Sequence, residues 1–274
     1  MRLVQSDAAL YKLRGHESRI RWWIVWTLFF STVTNYISRQ SFSVLSPMIT
    51  AQYHLSHTDL AKILGSFQIS YAITWLIGCI ILDAVGSRVG LAAAAIWWPV
   101  MNILTGLASS VFGFACFRFM LGIGEGFNWP GASKVVAEWF PREERGLAVA
   151  IFDSGSSVGG ALAALTIPLI ALAFGWRWAF VASGLLGFVW LAVWLRVYHP
   201  LDSHPRVGQG EVALIKAGRD AEPMTADRGW VRWRRLAKDR NLWGHRSWSR
   251  PHRPDLVVLC FLAAAISNSS SLSS

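Results

Sequence analysis

Six apolar stretches, each about long enough to cross a bilayer, constrain this chain more than any other feature. A spanning helix needs roughly 20 mostly apolar residues. Such stretches occupy residues 22–44, 63–82, 89–108, 111–136, 147–174 and 178–197. The joints between them are too short and too polar for the large buried core of a soluble helical protein. Charge agrees: Asp, Glu, Lys and Arg make up 15% of the chain, against roughly a quarter in a soluble domain. Acidic residues are scarce between Trp22 and Val197, while Arg crowds the two ends. The first apolar run is too long for a signal-peptide core and has no small-residue cleavage site, so helix one is expected to act as its own insertion signal. The expected fold is an all-α membrane bundle over residues 22–199, with a lead segment at 1–21, a central loop at 200–243 and an irregular basic tail at 244–274.

Orientation follows from basic residues near the spans. Arg2, Lys12, Arg14, Arg19 and Arg21 precede helix one, Arg88 lies between helices two and three, and Arg142 and Arg145 between four and five. The opposite joints offer Arg177 and Lys62. Both termini are therefore expected in the cytoplasm, in a multi-pass protein of the inner membrane. The net charge of +10 is read as this topological signal plus a basic tail, not as a nucleic-acid surface. Cys79, Cys116 and Cys260 are isolated, and His54 with His57 lacks a completing ligand. No metal, no cofactor and no catalytic nucleophile–base pair is expected, so the chain is not read as an enzyme.

Polar groups inside the spans carry the functional signal. An ionisable group in hydrocarbon costs about 2.5–3.5 kcal/mol on insertion scales, so it pairs or faces a water-filled route. Helix one places Asn35 and Arg39 one turn apart, with Tyr36 between them. Helix four places Arg118, Gly122 and Glu125 on one face, followed by Asn128, Pro130 and Lys134. Helix five holds Asp153, Ser154, Ser156 and Ser157. Two readings stand: a polar passage shared by several helices, or interhelical pairs that lock the bundle. Arg39 and Glu125 favour the passage, Arg118 suits either, and Asp153 suits a group reaching water at a helix end. Gly122-Ile123-Gly124-Glu125-Gly126 lies in an apolar span with no strand before it. A nucleotide-binding turn thus fails its context, and close helix approach explains the glycines. At the joint of helices two and three, Gly86 suits a tight turn, and Asp83 needs a cation or a helix dipole beside it.

Several stretches together resemble the major facilitator superfamily. Asp83, Gly86 and Arg88 resemble its loop signature, and Arg118 with Gly122 its helix-four motif. A closer likeness is to its anion:cation symporter branch, which includes hexuronate and galactonate symporters. It is carried by Asn35-Tyr36-Ile37-Ser38-Arg39-Gln40, by Gly122 through Pro130, by Ala137-Glu138-Trp139-Phe140-Pro141, by Ser154 through Gly159, and by Gly175-Trp176-Arg177-Trp178-Ala179-Phe180. The resemblance implies half of a 3+3 inverted-repeat fold and proton- or cation-coupled symport of organic anions by alternating access. It implies Arg39 on the substrate carboxylate, Tyr36, Tyr71 and Ser156 on its hydroxyls, and Glu125 as the proton carrier. Asp83, Gly86, Arg88, Arg118 and Gly122 would serve gating and packing. Departures are Ser38 where Asp is usual, Cys79 for Gly, and Ala84 for Arg, which put the coupling stoichiometry and the inner gate in doubt.

Members of the superfamily have about twelve helices in two related halves, with the substrate between them. This chain supplies one half, so a transport-inactive fragment and self-association of half-chains are the other expectations. Residues after Trp243 change character. A single-base frame change near Gly244 is expected to hide a seventh helix like that of hexuronate transporters, which the gene's nucleotide sequence would test.

Overall fold

The computed structural model describes residues 19–220. Eight α-helices follow one another there: α1 Ile20–Tyr53, α2 His57–Val85, α3 Ser87–Leu107, α4 Val111–Glu125, α5 Asn128–Trp139, α6 Arg142–Phe174, α7 Trp176–Val197 and α8 Gln209–Asp220. A short 3-10 turn, Leu201–Ser203, precedes α8, and no strand occurs among the described residues. The lead segment up to residue 18, most of the central loop, and the tail with its expected frame change lie outside the described residues.

Local chemistry sets the helix ends. Ser56 and Asp59 form a reciprocal capping box at the start of α2, and Ser110 accepts from the Gly113 amide at the start of α4. Two joints use glycine in a conformation nearly closed to other residues: Gly86 at φ 87°, ψ 151° and Gly175 at φ 93°, ψ 151°. Each is followed by a residue and then an arginine, Arg88 or Arg177.

The fourth span differs from its expectation. Residues 111–136 do not form one helix. The chain breaks at Gly126 and Phe127, and α5 starts afresh at Asn128. Gly122, Gly124 and Gly126 weaken the helix there, and Pro130 falls in the first turn of α5, where its missing N–H is not needed.

α1 packs along α6 and α7, α2 along α4, and α3 along α7 and α4. Counting α4 and α5 as one span, exchange of the first three spans with the last three maps these pairings onto one another. α1–α6 becomes α2–α4, α1–α7 becomes α3–α4, and α3–α7 maps onto itself. The two glycine joints also exchange, and they lie at opposite ends of the bundle. This is the 3+3 inverted repeat.

The bundle is apolar outside and partly polar within. Leu165 is 63% exposed, Leu172 79% and Phe174 72%, a pattern that suits lipid and not water. Ser31, Asn35, Ser38, Ser41, Asn102, Arg118, Glu125 and Asn128 are buried. Four helices, α2, α3, α6 and α7, are long and apolar enough to cross a membrane among the described residues. α1 and the α4–α5 pair carry the polar interior instead.

One end of the bundle gathers basic residues and is clamped by polar contacts. Arg21 at the start of α1 donates to Glu144 of α6 at 2.9 Å and to Glu211 of α8 at 3.1 Å. Glu211, Leu214 and Ile215 are buried, so α8 docks on this end within what was expected to be loop. Ser87 and Tyr198 both donate to Glu138, at 2.8 and 2.7 Å. Burial and the Glu138 carboxylate push the Tyr198 phenol above its ordinary range.

Candidate functional site

Arg39 lies about 28 Å along α1 from its basic end, at 1.5 Å per residue. That places it near the middle of the bundle. Its guanidinium sits among aromatic rings, 4.5 Å from the Tyr71 centroid, 5.1 Å from Phe67 and 5.6 Å from Tyr36. It donates to Oε1 of Gln68 at 3.4 Å. No carboxylate lies within ion-pair distance of it among the described residues. The side chain is half-buried. A planar cation stacked on aromatics keeps most of its five N–H donors available.

Phe67, Gln68 and Tyr71 share a face of α2 at spacings of three and four residues. Neither Phe67 nor Gln68 figures among the expected site residues. An amide one turn before Tyr71 in an otherwise apolar run was the signal for Gln68; Phe67 looks like any span residue and gave none.

Arg118 on α4 is 2% exposed. It donates to the Arg39 carbonyl at 3.3 Å, and its guanidinium lies 4.5 Å from the Phe67 ring and 5.2 Å from Phe42. This joins α4 to α1 and α2 at the level of Arg39. Gly122, one turn on, makes room for the join: a Cβ there would lie 2.6 Å from the Phe67 carbonyl and against the Ser70 hydroxyl.

Glu125 is fully buried, and neither carboxyl oxygen has a hydrogen-bond partner among the described residues. Arg39 and Arg118 act on it electrostatically, although neither forms an ion pair with it. Leaving one such polar atom unsatisfied costs about 1–3 kcal/mol. Among the described residues, no hydrogen bond or ion pair locks this carboxyl to a neighbouring helix. Beside it, Asn128 opens α5, accepts from Ser31 at 2.5 Å and donates to Thr32 at 3.4 Å.

The remaining expected residues stand elsewhere. Ser156 is half-buried on α6, one turn from Gly159, where a Cβ would lie 2.9 Å from Cβ of Tyr36. Its hydroxyl makes no hydrogen bond to the residues around Arg39. Asp153 is exposed and accepts from the Trp129 indole at 3.0 Å, which matches a group reaching out at the helix surface. The joint residues Asp83, Gly86 and Arg88 lie at the basic end, away from Arg39. Asp83 pairs with Lys134 at 2.7 Å, and Lys134 also donates to the Leu82 carbonyl. Arg88 turns to the end of α7, donating to the Leu195 carbonyl at 3.2 Å and lying 3.4 Å from the His199 ring nitrogen. No cluster of metal-ligating side chains occurs among the described residues.

Comparison with known proteins places this geometry. The sequence model of the Major Facilitator Superfamily matches residues 28–274. A galacturonate transporter of Dickeya chrysanthemi is 30% identical over 236 residues, 86% of this chain and 67% of that protein. A hexuronate transporter of Escherichia coli (strain K12) is 28% identical over 234 residues, 85% of this chain and 53% of that protein. Among solved structures, the proton:xylose symporter XylE bound to 6-bromo-6-deoxy-D-glucose superposes with a TM-score of 0.62. It is 18% identical and covers 74% of this chain and 50% of its own. That likeness concerns the fold. The chain thus spans one half to two thirds of these proteins' length.

Proposed function

Because this chain belongs to the Major Facilitator Superfamily, we propose that it forms the amino-terminal half of a secondary carrier that takes up sugar acids together with protons. The carrying observation is Arg39. Its fork is oriented by three aromatic rings and one amide, and no carboxylate of the described residues forms an ion pair with it. A substrate carboxylate can then bind bidentately, which suits guanidinium better than ammonium. The neighbouring Tyr36 and Tyr71 supply phenols for sugar hydroxyls, and Ser156 on α6 is assigned the same task. The relatives named for galacturonate and hexuronate support an acidic sugar.

Glu125 is the coupling group in this reading. Buried, unpaired and within electrostatic reach of both arginines, it gains or loses a proton as the arginine charge is met or freed by substrate. Ser38 stands in place of a second carboxyl on α1, so Glu125 alone is assigned this task. The Asp83–Lys134 pair and the Arg88 contacts tie α2, α3, α5 and α7 at the basic end. That end faces the cytoplasm by the positive-inside rule, and the contacts there form an inner gate.

Length favours a second reading. The chain spans 53% of the hexuronate transporter, and carriers of this fold bind substrate between two halves. By itself the chain is then either inactive or active only after two copies associate in the same orientation. Uptake by lipid vesicles decides among these. Labelled glucuronate, galacturonate and galactonate are offered under an inward proton gradient to vesicles holding this chain, and to vesicles holding a version extended by a second six-helix half. Accumulation by the extended version alone supports the half-carrier reading. Accumulation by the chain alone, with crosslinked dimers, supports self-association. If the extended version accumulates none of the three, the sugar-acid assignment fails.

A further inference from the structure

Among the described residues, five buried polar atoms without a hydrogen-bond partner lie on two helices, α1 and α4. They are Nδ2 of Asn35, Oγ of Ser38, Nε of Arg118 and both carboxyl oxygens of Glu125. None of these residues is more than 2% exposed. The register of α1 against the α4–α5 span is pinned on both sides of them. Toward the basic end, Ser31 donates to Asn128. Toward the other end, the Phe42 ring meets Phe114 at 5.8 Å and the Arg118 guanidinium at 5.2 Å. α1 and the α4–α5 span therefore run antiparallel, with Ser31 at the level of Asn128 of α5 and Phe42 at the level of Phe114 of α4. Ser31, Asn35, Ser38 and Phe42 follow the three-and-four spacing of one helix face. Asn35 and Ser38, between the two pins, then face the segment of α4 that holds Glu125.

Such atoms are costly if dry, and a buried site lined by several polar groups holds water, whereas an apolar one stays empty. A metal cation is a poor occupant, because the guanidinium charges of Arg39 and Arg118 both act on Glu125. We propose that this stretch is an internal hydration site, in which Asn35 and Ser38 hold water against the Glu125 carboxyl and carry its proton exchange. The Ser38 hydroxyl both donates and accepts, and the Asn35 amide donates, so water between them can donate to the carboxylate or take its proton. Asn35 and Ser38 are positioning residues in this scheme. It rests on the proton-carrying role given to Glu125 above.

Infrared spectroscopy of the chain in lipid vesicles tests it without requiring transport. Glu125→Gln identifies the band of the protonated Glu125 carboxyl. On transfer to deuterium oxide that band exchanges fast in the native chain. In Ser38→Ala and in Asn35→Leu it exchanges roughly tenfold more slowly, the effect of losing one hydrogen bond to the bridging water. Ser38→Thr keeps the hydroxyl and the native rate. Helicity by circular dichroism checks each variant, and if Asn35→Leu fails to fold, the contrast of Ser38→Ala with Ser38→Thr decides. Native exchange rates in the folded Ala and Leu variants overturn the hydration site and leave the proton role of Glu125 standing. A Glu125 band missing at every pH overturns both. A band lost when sodium replaces potassium puts a cation in the site and overturns the assignment of water.

Discussion

In the proposed carrier, Arg39 and Glu125 divide the work at the scale of single side chains. Arg39 offers a fork fixed by ring faces, so its removal deletes the one group matched to a carboxylate. In the extended carrier, Arg39→Ala is expected to weaken anion binding by about 2–5 kcal/mol, the usual loss when one member of a desolvated charge pair is truncated. Equilibrium binding of labelled glucuronate measures it, and Arg39→Lys should recover only part, since an ammonium lacks the planar fork. Glu125→Gln keeps shape and burial but cannot change charge. It should leave substrate exchange across the vesicle intact while abolishing accumulation against a gradient; normal accumulation in that variant would remove Glu125 from the coupling role. Gly86 and Gly175 matter for backbone reasons. A Cβ at either meets nothing within 4 Å, so the cost of Gly86→Ala or Gly175→Ala is conformational, about 1–3 kcal/mol each. Thermal unfolding in detergent should show a lowered midpoint for both, and by similar amounts, because their dihedral angles nearly coincide.

Among elements, two kinds of join hold the bundle. The first is close approach through glycine. On α6, a Cβ at Gly155 would lie 2.6 Å from the Phe29 carbonyl, and one at Gly159 2.6 Å from the Val33 carbonyl. Backbone cannot yield as a flexible side chain can, so Gly159→Val should push α6 off α1. Small residues at such contacts replace the hydrophobic force that lipid denies. The expected result is a destabilised bundle and a displaced Tyr36, read as lost thermal stability together with weaker substrate binding. The second join is ionic. Arg21 is 7% exposed at its side chain and lies between Glu144 and the fully buried Glu211. Removing one partner of a buried pair costs about 3–5 kcal/mol. Arg21→Met should therefore release α8, seen as faster amide hydrogen exchange over residues 209–220 with little change in α2 and α4. Unaltered protection of α8 would mean that its apolar contacts alone hold it.

For the whole molecule, the inverted repeat places its most polar members, α1 and the α4–α5 pair, beside the residues assigned to substrate. Much about this arrangement was legible in the chain itself. Apolar runs of spanning length dictate helices in lipid, because every backbone N–H and C=O must be satisfied internally. Polar residues inside the runs mark Arg39, Arg118 and Glu125. Pairing was not legible. Asp83 announces the need for a cation, yet only the fold brings Lys134 of α5 to it and sends Arg88 to α7. Phe67 reads as one more apolar span residue until contacts of α2 with α1 and α4 place it under both arginines. The break at Gly126 hid inside a continuous apolar run, since hydropathy does not report a missing proline N–H. The local pattern of the chain thus determined which segments enter the membrane and which side chains are too expensive to be there idly. Contact between segments far apart in sequence decided which of those side chains meet, because burial and electrostatics act through space, and no spacing along one helix encodes its neighbour.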